Sequence, residues 1–408
     1  MAADSPELRR VEDFRKAAER TLPGPAWWYY SLGDGDNQTL RDNCESFKRY
    51  RVLPRVLRDV STIDTTVSVL GSMLDFPVAI SPTAHHKMAH PDGEKATARA
   101  AAAANTGMVL GLFANHSLEE VAEAAPQGTR WFNFVLFKDP ERNRQLLERA
   151  ARAGYKAIFL TVDQPRFEYL NQPKLTHKEK AKSQLFHGTG DCATLDALHV
   201  VSGTVIDIDI QILYFSTPNI MFPGTPPYGT VEYRSHLYSA LKQPMTWDDV
   251  DWVKNNTSLP VVLKGILTAE DAKEAVRHGA DAILVSNHGG RQLDGVPATI
   301  DVLPDIVGAV GGEAEVYLDG GVRTGTDVLK ALALGARCVF IGRPAIWGLA
   351  CNGENGLLQL LNVLKEELVY TMARTGCAEI GDINSTLVLH ESYYSSRRGN
   401  ISTVNNHY

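Results

Sequence analysis

A chain of 408 residues, 44% hydrophobic and 22% charged, has the makeup of an ordinary globular protein, large enough for one barrel of about 250 residues with insertions or for two domains. Its net charge of −7 and pI near 6.0 leave no broad basic face to neutralise phosphates, so a nucleic-acid partner is excluded from the expectation. There is no apolar span of about 18 residues, and the polar start from Met1 to Glu19 lacks a signal-peptide core, so neither membrane insertion nor secretion is expected. Five cysteines without a Cys-x-x-Cys pair fit free thiols in a reducing compartment, which makes the cytoplasm the expected location.

Pro6 to Leu22 reads as a helical segment. Eight short apolar runs follow, at Pro77–Ser81, Met108–Phe113, Trp131–Phe137, Ala157–Val162, Val261–Lys264, Ala282–Ser286, Val316–Leu318 and Val339–Ile341. Both faces of each run are largely apolar, as in parallel strands covered on two sides. Helical stretches separate several of them. Thr268 caps one that runs to His278, with Asp271 in its first turn and Gly279 at its end; Leu329–Leu334, closed by Gly335, is another. Strand and helix units in such a series predict an α/β fold, a (β/α)8 barrel; a doubly wound open sheet is the competing architecture. The expected organisation is one domain over residues 1–380 and a C-terminal tail at 381–408.

One interval breaks the rhythm. Between the fourth run and a helix opening at Thr246 lie roughly eighty residues, far beyond a usual βα loop. This insertion, at 171–245, is expected to be a lid. Within it Ile206, Ile208, Ile210 and Ile212 alternate with other residues as in a half-buried strand, and Pro218–Gly229 reads as coil. Lys174, Lys178, Lys180 and Lys182 read as a solvated face of the lid.

The chemistry gathers at strand ends. After the sixth run come Ser286-Asn287-His288-Gly289-Gly290-Arg291: an imidazole that can take a proton near neutral pH, glycines that let a flat ligand approach, and a guanidinium that can grip a carboxylate with two parallel bonds. Asp163 follows the fourth run and Lys264 ends the fifth. Asp319-Gly320-Gly321-Val322-Arg323 follows the seventh and Gly342-Arg343 the eighth. In this barrel the last two loops are the usual phosphate site, so a phosphate-bearing cofactor is expected. His85 and His86 are adjacent on one loop with no carboxylate cluster beside them in sequence, and no metal is expected there.

This set resembles the FMN-dependent 2-hydroxy acid oxidase and dehydrogenase family, which includes glycolate, hydroxyacid and lactate oxidases and the flavin domain of flavocytochrome b2. The resemblance runs from about Val11 to Cys377. It rests on SNHGGRQLDGVPATIDVLPD from Ser286, PTAHHKMAHPDGE from Pro82, LTVDQPR from Leu160, LDGGVRTGTDVLKALALGA from Leu318 and FIGRP from Phe340. It implies FMN as cofactor, with Pro82, Thr83, Ala84, Thr161 and Ser286 against the flavin ring and Lys264 at its N1 edge. Asp319, Gly320, Gly321, Val322, Arg323, Gly342 and Arg343 would take the phosphate and ribityl chain. His288 is then the catalytic base, Asp163 its orienting carboxylate, and Tyr29 and Arg291 the groups that hold the substrate carboxylate.

Departures from that pattern bear on the substrate. Asn133 stands at a cofactor-contacting glutamine and Val135 at a substrate tyrosine; Leu170 takes the place of a second carboxylate-binding arginine. Gly111 replaces a flavin-bonding serine, and Phe113 a common tryptophan. The pocket is therefore expected to be apolar with one arginine, and the activity to be oxidation of a bulky or hydrophobic 2-hydroxy acid to the 2-oxo acid with O2 as acceptor, giving H2O2. Altered flavin chemistry (oxidative decarboxylation or oxidation of a non-acid alcohol) and a flavin-binding pseudo-enzyme are the alternatives. The resemblance further implies a homo-oligomer, a tetramer in many members. Several relatives end in a peroxisomal tripeptide, whereas this chain ends Asn405-Asn406-His407-Tyr408.

Overall fold

A computed structural model describes residues 8–164, 217–221, 225, 236 and 239–394. Leu170, the lysine run and the isoleucine alternation lie outside the described residues. The eight apolar runs form eight parallel strands: β1 (Val78–Ile80), β2 (Gly107–Leu110), β3 (Thr129–Phe134), β4 (Ile158–Thr161), β5 (Val261–Ile266), β6 (Ala282–Val285), β7 (Glu315–Asp319) and β8 (Cys338–Ile341). They close into a barrel in chain order, sealed where Val339, Phe340 and Ile341 of β8 register with Val78, Ala79 and Ile80 of β1. The open-sheet alternative is thereby excluded.

Burial on both strand faces explains the pattern. Within the barrel, Trp131, Phe159, Tyr317 and Phe340 pack with ring centroids 5.5–5.8 Å apart. Such offset aromatic contacts fill the interior as a solid core rather than a pore. Gly107 makes room for this plug, since a Cβ there would lie 2.2 Å from the Trp131 indole. A hairpin of Val67–Val69 and Ser72–Leu74, not foreseen from the sequence, adds Val67, Val69 and Leu74 to the same cluster. Its turn reaches Glu315 at the start of β7, so it caps the N-terminal end and leaves the opposite rim for ligands.

Outside the ring, the helix predicted after Thr268 runs Ala269–Arg277; Thr268 Oγ1 accepts the Asp271 N–H at 3.1 Å, and Gly279 follows at φ +71°. The N-terminal helix, Val11–Thr21, lies against the helical segment Arg343–Thr375, which is broken by non-helical backbone at Asn352 and Gly353. Residues expected as the start of a tail run against the body of the protein: Val388–His390 pairs antiparallel with Tyr50–Val52. No helix among the described residues is long and apolar enough to cross a membrane.

Candidate active site

On the C-terminal rim the described candidate groups stand together. His288 Nδ1 lies 3.0 and 3.2 Å from the two oxygens of Asp163 and 3.4 Å from Lys264 Nζ. Burial disfavours charge on Asp163, yet the neighbouring His288 and Lys264 hold its carboxyl below the ordinary range. With Nδ1 turned to a carboxylate, the ring keeps Nε2 for an incoming ligand. Gly265 makes this geometry possible, because a Cβ there would sit 2.6 Å from Asp163 Cβ; its φ of +118° falls at a register shift in β5.

His288, Gly289 and Gly290 follow one another at φ +58°, +64° and +72°. Protein atoms crowd both glycines. A Cβ on Gly289 would meet Arg343 Nη1 at 2.6 Å, and one on Gly290 would meet the Leu40 backbone nitrogen at 2.7 Å. They let other parts of the protein approach the turn closely. Ser286, expected at the flavin, is fully buried, and its Oγ accepts the His288 N–H at 3.1 Å.

A segment from the N-terminus covers the turn. Asn43 and Asn287 exchange amide hydrogen bonds of 2.9 and 2.8 Å. Tyr30 Oη donates to the carbonyl of His85 at 2.7 Å, and Asp294 accepts the backbone N–H groups of Asp36, Gln38 and Thr39. Arg291 lies over the Tyr29 ring at 4.9 Å, with Nη1 donating to Tyr29 O and Leu32 O at 2.6 and 3.1 Å. That amino group is committed to backbone, so a carboxylate would meet the guanidinium at its other edge.

Arg343 donates from Nε to Tyr30 O, from Nη1 to Gly289 O and from Nη2 to Leu32 O, at 2.7–2.8 Å. Burial, with Arg291 and Arg323 nearby, lowers its pKa from the ordinary arginine range to about 9. Cations gathered in this way call for an anion. Arg323 stacks on Trp347 at 5.0 Å. Gly320 and Gly321 adopt φ of +94° and +83°. Asp319 accepts from Ser81 Oγ at 2.9 Å through Oδ2, while its buried Oδ1 has no protein partner. Pro82, Thr83 and Ala84 are half-buried at the end of β1, and Lys264 is buried. An anion site, an orphaned acceptor and an accessible strand end fit a phosphate, a polyol chain and a planar ring, the parts of FMN.

Val135 is buried, and Asn133 turns its amide to Thr161 Oγ1 at 2.7 Å and Phe159 O at 2.9 Å. Gly111 lies against the loop after β1, where a Cβ would come 3.0 Å from Thr83 O. A Cβ on Gly342 would be in ordinary contact with the Thr83 methyl at 3.6 Å, and Val322 is buried.

Beneath the loop after β1 lies a buried carboxylate that sequence reasoning missed. Glu94 accepts the backbone N–H groups of His86 and Asn115 through Oε1, both at 3.0 Å, and contacts His116 Nδ1 at 3.0 Å through Oε2. Burial opposes its charge, but the His116 ring and these backbone donors help bring its pKa down to about 2. The sign is that of a depressed acid: the stabilisation is complete above the ordinary glutamate range and fades as pH falls from about 4.3 through about 2. It amounts to something on the order of 2–3 kcal/mol. In Glu94→Gln the loss of stability over that window should be shallower than in the parent, which denaturant titrations at stepped pH will measure; an unchanged slope refutes it.

With that geometry in hand, comparison with known proteins defines the class. The chain belongs to the family of FMN-dependent dehydrogenases, which it matches over residues 18–390; its cofactor is FMN. Among curated relatives, 2-hydroxyacid oxidase 1 of Mus musculus is 45% identical over 386 residues, 94% of this chain and 97% of that one. L-lactate oxidase of Nostoc sp. is 42% identical over 379 residues, covering 92% and 96%. Among solved structures, a mandelate oxidase superposes with a TM-score of 0.76 at 34% identity, covering 94% of this chain and 98% of that one.

Proposed function

We propose that this protein oxidises a 2-hydroxy acid to the 2-oxo acid and passes the electrons to O2, forming H2O2. The observation that carries the reading is His288, held through Nδ1 by ionised Asp163, with Lys264 beside the pair, on the same rim as Arg291. Arg291 and Tyr29 hold the substrate carboxylate. His288 Nε2 takes the proton that the substrate releases, and Asp163 stabilises the resulting imidazolium. Lys264 contributes a buried positive charge that offsets the electrons gained in the site. Pro82, Thr83, Ala84 and Thr161 would line the flavin ring, and Asp319, Gly320, Gly321, Arg323, Gly342 and Arg343 its chain and phosphate. Bound FMN supplies the two-electron acceptor.

Val135, and in the sequence Leu170, make the pocket apolar, so the substrate carries a bulky or hydrophobic side chain. Each additional buried methylene is worth roughly 0.8 kcal/mol. Lacking a charge-assisted bond worth about 1.5–3 kcal/mol, a small acid such as glycolate should bind about 10- to 100-fold worse. Anaerobic addition of a hydroxy-acid panel should bleach the flavin, with kcat/KM rising from glycolate to aromatic and medium-chain acids. Val135→Tyr with Leu170→Arg should restore glycolate. Equal activity on glycolate in the parent refutes the specificity; no bleaching by any acid refutes the activity and favours altered chemistry or a flavin-binding pseudo-enzyme. By resemblance we also infer a homo-oligomer, a tetramer, which light scattering on the purified protein tests; the free cysteines favour the cytoplasm.

A further inference from the structure

His85 and His86 are the one sequence motif that this function does not absorb. Among the described residues, no group of three or more His, Cys, Asp or Glu is arranged to hold an ion. The His86 ring is instead a link in a string of side chains. One nitrogen, Nε2, is hydrogen-bonded to the hydroxyl of Thr83. The other, Nδ1, lies 2.9 Å from Thr97 Oγ1, which in turn reaches Gly93 O at 3.4 Å. A neutral imidazole gives at one nitrogen and accepts at the other, so it can satisfy both hydroxyls at once. Burial lowers the pKa of His86 despite nearby Glu94, which keeps the ring in that neutral form.

The backbone of His86 is fixed as firmly as its ring. Its N–H is one of those gathered by buried Glu94, which also binds Asn115 and His116 of the loop after β2. The neighbouring bonds Lys87 N to Asn115 Oδ1 at 2.9 Å and His85 N to Phe113 O at 3.3 Å tie the same two loops. The free end of this construction is Thr83, half-buried on the rim while His86 behind it is buried. A threonine side chain facing a ligand ordinarily chooses among rotamers and hydroxyl orientations. Here a ring held from the other side has made the choice.

We infer that His86 is a positioning residue for the flavin, acting through the Thr83 hydroxyl that it holds against the cofactor from the side away from solvent. The inference rests on the reading that Thr83 faces FMN. It differs in kind from the roles of His288 and Arg291, since His86 touches neither substrate nor cofactor.

The test is a double-mutant cycle read on the flavin rather than on turnover. Purified holoprotein is diluted, and released FMN is followed by its fluorescence to give a dissociation constant; the visible absorption bands of the bound flavin are recorded alongside. Thr83→Val and His86→Phe should each weaken FMN binding roughly 3- to 10-fold, the scale of one hydrogen bond, and shift the bands alike. The double variant should be no weaker than the poorer single by more than about 2-fold. His86→Gln, whose amide also offers an acceptor and a donor, should return both readouts to near the parent. Thr97→Val loosens the ring from behind and should move the bands in the same direction if His86→Phe fails to fold. Multiplying effects in the double variant, a glutamine as poor as phenylalanine, or a silent Thr97→Val overturns the inference. These outcomes leave the proposed activity untouched, for that stands or falls with flavin bleaching in the parent.

Discussion

Replacing His288 by alanine is expected to leave FMN bound and to slow its reduction by substrate about 10²- to 10⁴-fold, the usual contribution of a general base. The flavin should stay because the cations and glycines proposed to hold its phosphate lie elsewhere on the rim. Reduction should fail because the deleted ring is the one whose Nδ1 is fixed 3.0 Å from Asp163 and 3.4 Å from Lys264, leaving those charges without the group they orient. Stopped-flow reduction under anaerobic conditions measures the chemical step apart from reoxidation by O2. A variant that bleaches as fast as the parent removes His288 from the role of base.

The second large effect is expected at Gly321. An alanine Cβ there would lie 1.9 Å from the carbonyl oxygen of Asn43 and 2.4 Å from its carbon, on a backbone with φ of +83°. Asn43 cannot retreat freely, because its amide is paired with Asn287 in the turn that carries His288. Left-handed strain and overpacking each cost about 1–3 kcal/mol, and Gly321→Ala should incur both. FMN should be lost on gel filtration and thermal unfolding should come markedly earlier. Gly154→Ala is the control, since its φ is +79° with nothing within 4 Å of the added Cβ; it should show the backbone penalty alone and keep its flavin. If the two variants behave alike, the close approach of Asn43 is not what demands a glycine.

The barrel is legible in the sequence because a parallel strand covered on both faces leaves a short, wholly apolar run, and all eight such runs became its staves. The rim residues are legible because polar groups directly after those runs have one place to go. What escapes such reading is pairing across long separations. Asn43 meets Asn287 and Tyr30 meets the carbonyl of His85, contacts that no local pattern encodes. Gly265 looks like an ordinary strand glycine until Asp163 is found beside it. Glu94 reads as a surface acid of an alanine-rich helix, yet it is fully buried because backbone and imidazole N–H groups converge on it. Gly289 and Gly290 carry the same ambiguity: a glycine announces a close approach without saying what approaches, and here Arg343 and Leu40 do.

The seam between β8 and β1 also constrains how the chain can be made. Val78 waits for Val339, so a nascent chain that has emerged only through β7 holds seven staves whose two outer edges have unpaired N–H and C=O groups. Bare edges of that kind invite pairing with other chains. Ribosome-bound intermediates should therefore be most prone to association just before Cys338–Ile341 leaves the exit tunnel, and a pause in translation upstream of that strand would prolong the hazard.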